Sequence, residues 1–470
     1  MRKTKIIATI GPASANERTL GKMFEAGMNV ARLNFSHGTH EEHGKTIALI
    51  KKVREEMGLP IAIMLDTKGP EYRIKTFENK KVMLVEGERF TFAGDDIIGD
   101  GTRVSVDFRG LFELVGAGDR ILANNGLVAF DVEEIVGRDV VCRVAVGGEL
   151  SDRKSLHFPN KIPNRAYLGE RDRADILFGI ENGVDFIAAS FVSTKADVAS
   201  VRKLLDENGG ADINLIAKIE NRAGVDNIDQ ICEIADGVMV ARGDLGVEIP
   251  YAEVPSVQKH LIRRCRLIGK RVITATEMLE SMIHNPRPTR AEISDVANAV
   301  YDGSSAVMLS GETAAGQYPV EAVATMAEVA LYTEEHIDYR KAFLAEQCRI
   351  NNIQDAVSHA TCAMAIDVGA RCIAVNSMSG MTARLVSRYR APVDIIGITT
   401  SERALRQLNM SWGVIPVLSE AYSSVDVMFY RAVEVSKKIL SLNKGDRVVL
   451  TGGLINGKKG NTNTIRVETI

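Results

Sequence analysis

NLIAKIENRAGVDNIDQICEIADGVMVARGD, residues 214–244, is the stretch on which the fold turns. It opens with an apolar run ending in Lys218-Ile219-Glu220 and returns, after a helix-length polar stretch, to a second apolar run ending in Arg242-Gly243-Asp244. Strand, connection and strand in that order predict a right-handed βαβ unit with parallel strands. Working outward, the rhythm repeats in KIIATIG (5–11), NVARLNF (29–35), IAIMLD (61–66), DFIAASF (185–191), RVITATE (271–277) and AVMLSGE (306–312). Amphipathic stretches such as ERTLGKMFEAG (17–27), EEHGKTIALIKKVREEMG (41–58) and ADVASVRKLLDENG (196–209) separate most of them. Eight strands predict an α/β fold closed into a (β/α)₈ barrel in preference to a doubly wound open sheet.

The rhythm breaks between the third and fourth strands. KVMLVEGERFTF (81–92), TRVSVDF (102–108) and RILANNGLVAFDVEEI (120–135) alternate with period two and offer no convincing helix, and Asn125-Gly126 signals a two-residue hairpin. This segment reads as an all-β lid domain inserted in a barrel loop, where insertions are tolerated. Beyond residue 345, CIAVNS (372–377), DIIGIT (394–399), GVIPVL (413–418) and RVVLTGG (447–453) alternate with helical stretches, predicting a C-terminal open-sheet α/β domain. The expected division is barrel 1–70 and 169–345, lid 71–168 and C-terminal domain 346–470.

A chain of 470 residues has room for two or three domains, and its net charge of −3 gives no footprint for nucleic acid or an acidic membrane. Six cysteines lie far apart without a C-x-x-C pair and read as buried thiols of a reducing compartment. The N-terminal apolar run is too short for a signal peptide, and no stretch approaches the roughly 18 apolar residues of a membrane span. A cytoplasmic protein is expected.

Barrel enzymes carry their catalytic groups at the C-terminal ends of the strands. Here those ends read Arg32-Leu33-Asn34-Phe35-Ser36-His37, Asp66-Thr67-Lys68-Gly69-Pro70-Glu71-Tyr72-Arg73, Lys218-Ile219-Glu220, Arg242-Gly243-Asp244, Thr274-Ala275-Thr276-Glu277 and Ser310-Gly311-Glu312. One charged ending is explained by a structural ion pair. Six together are not, because unpaired buried charge costs several kcal/mol. Lys218 and Glu220 project to one face, since strand side chains alternate with period two. Glu220 and Asp244 suit Mg²⁺, which takes few protein oxygens and shares substrate oxygens. A lysine beside such a site serves phosphoryl transfer, and Arg32 can grip phosphate oxygens in bidentate fashion. Thr276 offers a hydroxyl for proton relay or carboxylate binding. Asn34, Ser36, Asp66 and Thr67 form an all-oxygen cluster with one charge, suited to a monovalent cation.

MNVARLNFSHG, LDTKGPE, AKIEN, MVARGDLGVEIP, NPRPTRAE and AVMLSGETAAGQYP fall in the order of the signature segments of the pyruvate kinase family, which this chain resembles over nearly its whole length. The resemblance implies phosphoryl transfer from phosphoenolpyruvate to ADP, giving pyruvate and ATP. It assigns the phosphoryl group to Arg32 and Lys218, Mg²⁺ (or Mn²⁺) to Glu220 and Asp244, and the substrate carboxylate to Gly243, Asp244 and Thr276. It implies K⁺ on Asn34, Ser36, Asp66 and Thr67, and nucleotide near Asn34, His37 and Arg73. Thr276, Ser310 and Glu312 become the protonation relay. Glu71 stands where K⁺-dependent members carry glutamate, so K⁺ dependence is expected. The loop Ser377-Met378-Ser379-Gly380-Met381-Thr382 matches the cradle for a phosphate of an allosteric effector, with Trp412 and the 453–460 loop beside it. A homotetramer follows from the likeness alone, and no further C-terminal module is expected.

The chain departs from the family at Asn124-Asn125-Gly126 (usually Asp-Asp-Gly), at SDRKSLHFPN (151–160, usually glycine-rich), at Thr194 (usually basic, with Lys195 one place late) and at Gly303-Ser304-Ser305 (usually Gly-Thr-Asp). Altered nucleotide affinity or preference is the expected consequence. His40-Glu41-Glu42-His43 falls one residue short of a zinc motif and reads as a polar helix start. The 452–459 segment lacks the final hydroxyl of a P-loop and reads as a hairpin. A barrel lyase or aldolase shares the metal logic but has no use for Lys218 or the lid. A silent, regulatory relative is disfavoured because Lys218 and Thr276 are both present.

Overall fold

The computed structural model describes residues 1–162, 166–345, 350–422, 424–453 and 462–470. Eight parallel strands close into a barrel: β1 (Lys5–Thr9), β2 (Val30–Asn34), β3 (Ala62–Asp66), β4 (Phe186–Ala189), β5 (Asn214–Ile219), β6 (Gly237–Ala241), β7 (Arg271–Ala275) and β8 (Ala306–Leu309). Each pairs with its sequence neighbours and β8 returns to β1. The expected closed barrel is what the chain forms.

Strand alternation decides what the barrel offers at its mouth. On β5, Leu215, Ala217 and Ile219 join the core beneath the surrounding helices, while Ile216 belongs to the core inside the barrel. Residues of the same parity as Ile216, namely Lys218 and Glu220, therefore emerge on the inner face at the strand's end. The same alternation carries Val30 to Arg32 and Asn34 on β2, Met64 to Asp66 on β3, and Met308 to Ser310 beyond β8. Met410, from the C-terminal part of the chain, joins that inner core from below and plugs the floor.

Between β3 and β4 the chain builds a seven-stranded sheet and a two-stranded one over Tyr72–His157, around a cluster that includes Phe90, Phe92 and Phe130. A short helix, Leu111–Leu114, interrupts a segment read as free of helix. The hairpin at Asn125-Gly126 exists, but its loop spans four residues: Ala123 pairs with Val128, and Asn124, Asn125 and Gly126 all take left-handed φ. One further residue is bridged by the Leu127 N–H, which donates to Asn124 O at 3.2 Å.

The C-terminal sheet comprises β9 (Cys372–Asn376), β10 (Asp394–Thr399), β11 (Val414–Leu418), β12 (Arg447–Gly453) and β13 (Thr462–Thr469), in the order β11-β10-β9-β12-β13. β13 runs antiparallel to β12, as the hairpin reading requires; residues 454–461, most of the 453–460 segment expected beside the effector cradle, lie outside the described residues. His40 and His43 open the helix His40–Met57 behind a Thr39–Glu42 capping box, so the zinc-like tetrapeptide is a capped first turn. The five described cysteines are buried and form no disulfide among the described residues, and Cys348 lies outside them. No helix among the described residues is long and apolar enough to cross a membrane.

Candidate active site at the barrel mouth

Lys218 lies at the centre of the mouth. Its Nζ is 3.0 Å from Asp66 Oδ1 and 3.0 Å from Glu220 Oε1, and donates to Ser190 Oγ at 2.6 Å. Arg32 completes the network, donating from Nε to Asp66 Oδ2 at 2.7 Å and from a terminal nitrogen to Thr9 Oγ1 at 2.8 Å. Strands β1 to β5 thus supply one continuous cluster. Burial disfavours the Lys218 ammonium, but Asp66 and Glu220 outweigh it and hold the group charged. Burial likewise opposes ionisation of Asp66, and the adjoining Lys218 and Arg32 bring its pKa below the usual carboxylate value.

Glu220 differs. Burial, with the like charge of Asp244, pushes its pKa up to about 7 against the pull of Lys218 and the Phe191 N–H. A buried carboxylate beside a half-buried one is a donor set that a divalent cation would relieve. No group of three or more His, Cys, Asp and Glu side chains suited to a metal occurs among the described residues, so a cation here would need other oxygens to complete its shell.

The neighbouring strand ends are held by backbone geometry. Asp244 sits in the first turn of the helix Arg242–Glu248, directly after β6. The Gly243 N–H donates to Thr276 Oγ1 at 2.8 Å, and the Thr276 hydroxyl donates to Ala275 O at 2.6 Å. Thr276 and Glu277 both take positive φ (70° and 53°), strain that sharply turns the chain at the end of β7. Arg242 fixes this turn, reaching Thr276 O and Asp295 Oδ1, the latter at 2.7 Å. Glu312 is fully enclosed and spends both oxygens on backbone N–H groups, Leu279 at 3.0 Å and Ser310 at 2.7 Å. The Ser310 hydroxyl is buried and has no hydrogen-bond partner among the described residues.

In the all-oxygen cluster, β2–β3 register sets Asn34 opposite Asp66. Asn34 Oδ1 accepts from Ser36 N at 3.1 Å, and Thr67 Oγ1 accepts from Ser190 N at 3.2 Å. His37 is exposed beside this turn. Arg73 donates to Glu71 Oε1 at 2.6 Å and to Arg153 O at 2.7 Å, tying it to the turn before the strand Ser155–His157. His157, in the departing 151–160 segment, is buried with Nδ1 3.1 Å from Glu248 Oε1, so the lid touches the helix that carries Asp244.

Thr9, Ser190, Arg242 and His157 were not among the expected site residues. Thr9 and Ser190 have the inward parity of Ile7 and Ala188, so the alternation that selects Lys218 would have selected them. Arg242 stood in a quoted strand ending without a role of its own, and His157 joins segments far apart in the chain and leaves no local signal.

Positive and negative groups drawn from five strands to one mouth suit the transfer of an anionic group, and on this three-part architecture they mark a barrel-type kinase. Residues 1–323 match the family described as pyruvate kinase, barrel domain, and residues 355–468 the one described as pyruvate kinase, alpha/beta domain. The pyruvate kinase of Clostridium acetobutylicum is 46% identical over 473 residues, covering all of both chains. Those of Bacillus licheniformis (47%) and Geobacillus stearothermophilus (46%) match this whole chain over 81% and 80% of their own length. The chain belongs to the pyruvate kinase family.

Proposed function

We propose that the protein transfers the phosphoryl group of phosphoenolpyruvate to ADP, yielding pyruvate and ATP. The observation that carries this reading is Lys218, held charged between Asp66 and Glu220 beside Arg32 at the barrel mouth. Both cations reach the same point from different strands, so a migrating phosphoryl group meets preorganised positive charge on two sides. Glu220 and Asp244 hold Mg²⁺ or Mn²⁺, which when bound neutralises substrate oxygens. Asn34, Ser36, Asp66 and Thr67 hold K⁺. The Gly243 and Asp244 N–H groups receive the substrate carboxylate, which takes the Gly243 N–H from its bond to Thr276 and frees that hydroxyl to orient the enol carbon's proton delivery. Ser310, whose buried hydroxyl has no competing partner among the described residues, joins Thr276 in the relay. Glu312, with both oxygens engaged, positions the Ser310 turn within this relay. Asn34, His37 and Arg73 face the nucleotide.

The domain division at 70/71, 168/169 and 345/346, a phosphorylated effector at Ser377, Ser379, Gly380 and Thr382, a homotetramer and a cytoplasmic location complete the reading. Purified protein supplied with phosphoenolpyruvate, ADP, Mg²⁺ and K⁺ is expected to release pyruvate. None formed under those conditions overturns the proposal. Full activity with K⁺ omitted overturns the K⁺ assignment alone, leaving the transfer assignment standing.

A further inference from the structure

The turn Ser190-Phe191, directly beyond β4, touches three working parts of the mouth. The Ser190 N–H donates to Thr67 Oγ1 at 3.2 Å, and its hydroxyl donates to Thr67 O at 2.6 Å while accepting from Lys218 Nζ at 2.6 Å. The Phe191 N–H donates to Glu220 Oε2. Phe191 does this at a φ of 55°, a left-handed conformation that a bulky residue keeps only where its surroundings impose it. Three of the groups that impose it, Thr67, Lys218 and Glu220, belong to the site itself. A fourth does not: Ser190 O accepts from the Tyr167 hydroxyl at 2.6 Å. Tyr167 lies in the stretch that leads into the helix Glu170–Glu181, and its ring packs against the core between barrel and helices. Burial, with Asp172, Asp197, Glu220 and Asp66 around it, pushes its pKa up, so the hydroxyl keeps its proton as a donor.

The same stretch fixes two more strand ends. Arg171 donates to Phe35 O at 2.7 Å, and the Gly69 N–H donates to Asp172 Oδ1 at 2.9 Å. Tyr167 differs from both in reaching the turn that holds Lys218 and Glu220. We infer that Tyr167 is a positioning residue, which holds the Ser190-Phe191 turn and through it the Lys218 ammonium and the Glu220 carboxylate. Its effect on turnover rests on the transfer reading above. In that reaction Lys218 turns to the phosphoryl group and Glu220 to a divalent cation, so both slacken their hold on the turn. Tyr167 exchanges no partner and keeps the left-handed Phe191 in place. The Ser190 hydroxyl and the Phe191 N–H then stay aimed at the two side chains they orient. A group whose hold matters most in the loaded site bears on kcat more than on KM.

Tyr167→Phe in the full chain tests this, because it removes one hydroxyl and keeps the ring in the core. In hydrogen exchange without substrates, the Phe191 amide is expected to exchange about fivefold faster or more, the scale of one lost hydrogen bond. Ile187 in β4 and Ile216 in β5 are expected to stay unchanged. Turnover is expected to fall about five- to tenfold, with KM for either substrate within about twofold. In a Ser190→Ala background the same substitution is expected to cost clearly less, about two- to threefold, since groups that act through one another are not additive. An unchanged Phe191 amide overturns the inference. Faster exchange throughout β4 and β5 also overturns it, by making Tyr167 a packing residue. So does a normal kcat, or losses that multiply in full. If the unaltered protein forms no pyruvate, the transfer reading fails, and the exchange comparison alone decides whether Tyr167 holds the turn.

Discussion

At the mouth of the barrel, Lys218 is buried between two carboxylates, with Arg32 sharing one of them. At the floor, Arg271 is buried as deeply, and its partners are a hydroxyl, a side-chain amide and a backbone carbonyl. Lys5, also at the floor, donates to Val414 O at 2.7 Å. The mouth satisfies Lys218 with charge; at the floor fixed dipoles satisfy Arg271 and Lys5, while Arg406 there pairs with buried Asp185 at 2.8 Å. Opposite charges can be re-partnered when an anionic substrate and cations arrive, so the mouth is organised for exchange. Dipoles on neighbouring elements cannot be exchanged. Arg271 and Lys5 act as mortar between the barrel and the C-terminal sheet.

The comparison breaks most visibly at Lys218. Lys218→Met is expected to cost at least about 10²–10³-fold in turnover, the scale of one lost preorganised electrostatic group. The fold is expected to survive: Asp66 keeps Arg32, and Glu220, with its pKa already near 7, can take up a proton. Steady-state kinetics with a thermal melt checks both halves. A large loss of melting temperature would make Lys218 mortar as well. Arg271→Met is the converse case. It strands acceptors on Ser411, Asn214 and Gln407, for an expected loss of about 2–3 kcal/mol of stability in urea. Turnover is expected to stay within about twofold, because no atom of Arg271 approaches the mouth; a collapse in turnover would erase the distinction.

Lys5 sharpens the contrast through pH. Burial, together with Arg2, lowers its pKa from 10.5 to about 7, against the opposing pull of Glu334 and Asp394. The folded pKa is thus depressed. Between pH 7 and 10.5 the unfolded chain binds a proton that the folded chain lacks, so stability rises with pH across that window. The slope from this group approaches about 1.4 kcal/mol per pH unit. Lys5→Met is expected to remove that rise in chemical denaturation series. An unchanged slope would show Lys5 to be charged in the folded protein.

Strand alternation made the mouth legible: a residue two places beyond an inward apolar one points inward, which selects Arg32, Asp66, Lys218 and Glu220 without knowledge of their partners. It made the barrel legible too, since eight such runs separated by helices close in few ways. The floor had no such signature. Met410 plugging the barrel, Gln407 donating to Asp212 O at 2.8 Å and Asn409 donating to Pro60 O at 2.9 Å join segments far apart in the chain. Residues read there as an ordinary α/β helix and strand carry the interdomain contact. The turn after Ala123 was legible in place but not in length, because a second asparagine, Asn124, shares the left-handed conformation that the Asn125-Gly126 pair signals.

The lid supplies the smallest and most selective test. His157 is buried against Glu248, and Asp244 and Glu71 add negative charge around it. Burial opposes the imidazolium, yet Glu248 and those carboxylates raise its pKa above 6.5. The sign is opposite to that of Lys5. Here the stabilisation is fully present below the unfolded value and is lost as pH rises through the folded one. The contact joins the lid to the helix bearing Asp244, so its loss loosens the lid locally and leaves the barrel closed. Hydrogen exchange of the 120–136 hairpin is expected to show faster lid opening at about pH 8 than at about pH 6 after correction for intrinsic rates. His157→Gln is expected to abolish that difference at a cost of about 1 kcal/mol. Exchange in β5 and β6 should not change. If it rises in step with the hairpin, the His157–Glu248 pair belongs to the mortar of the barrel and the lid has no hold of its own on the mouth.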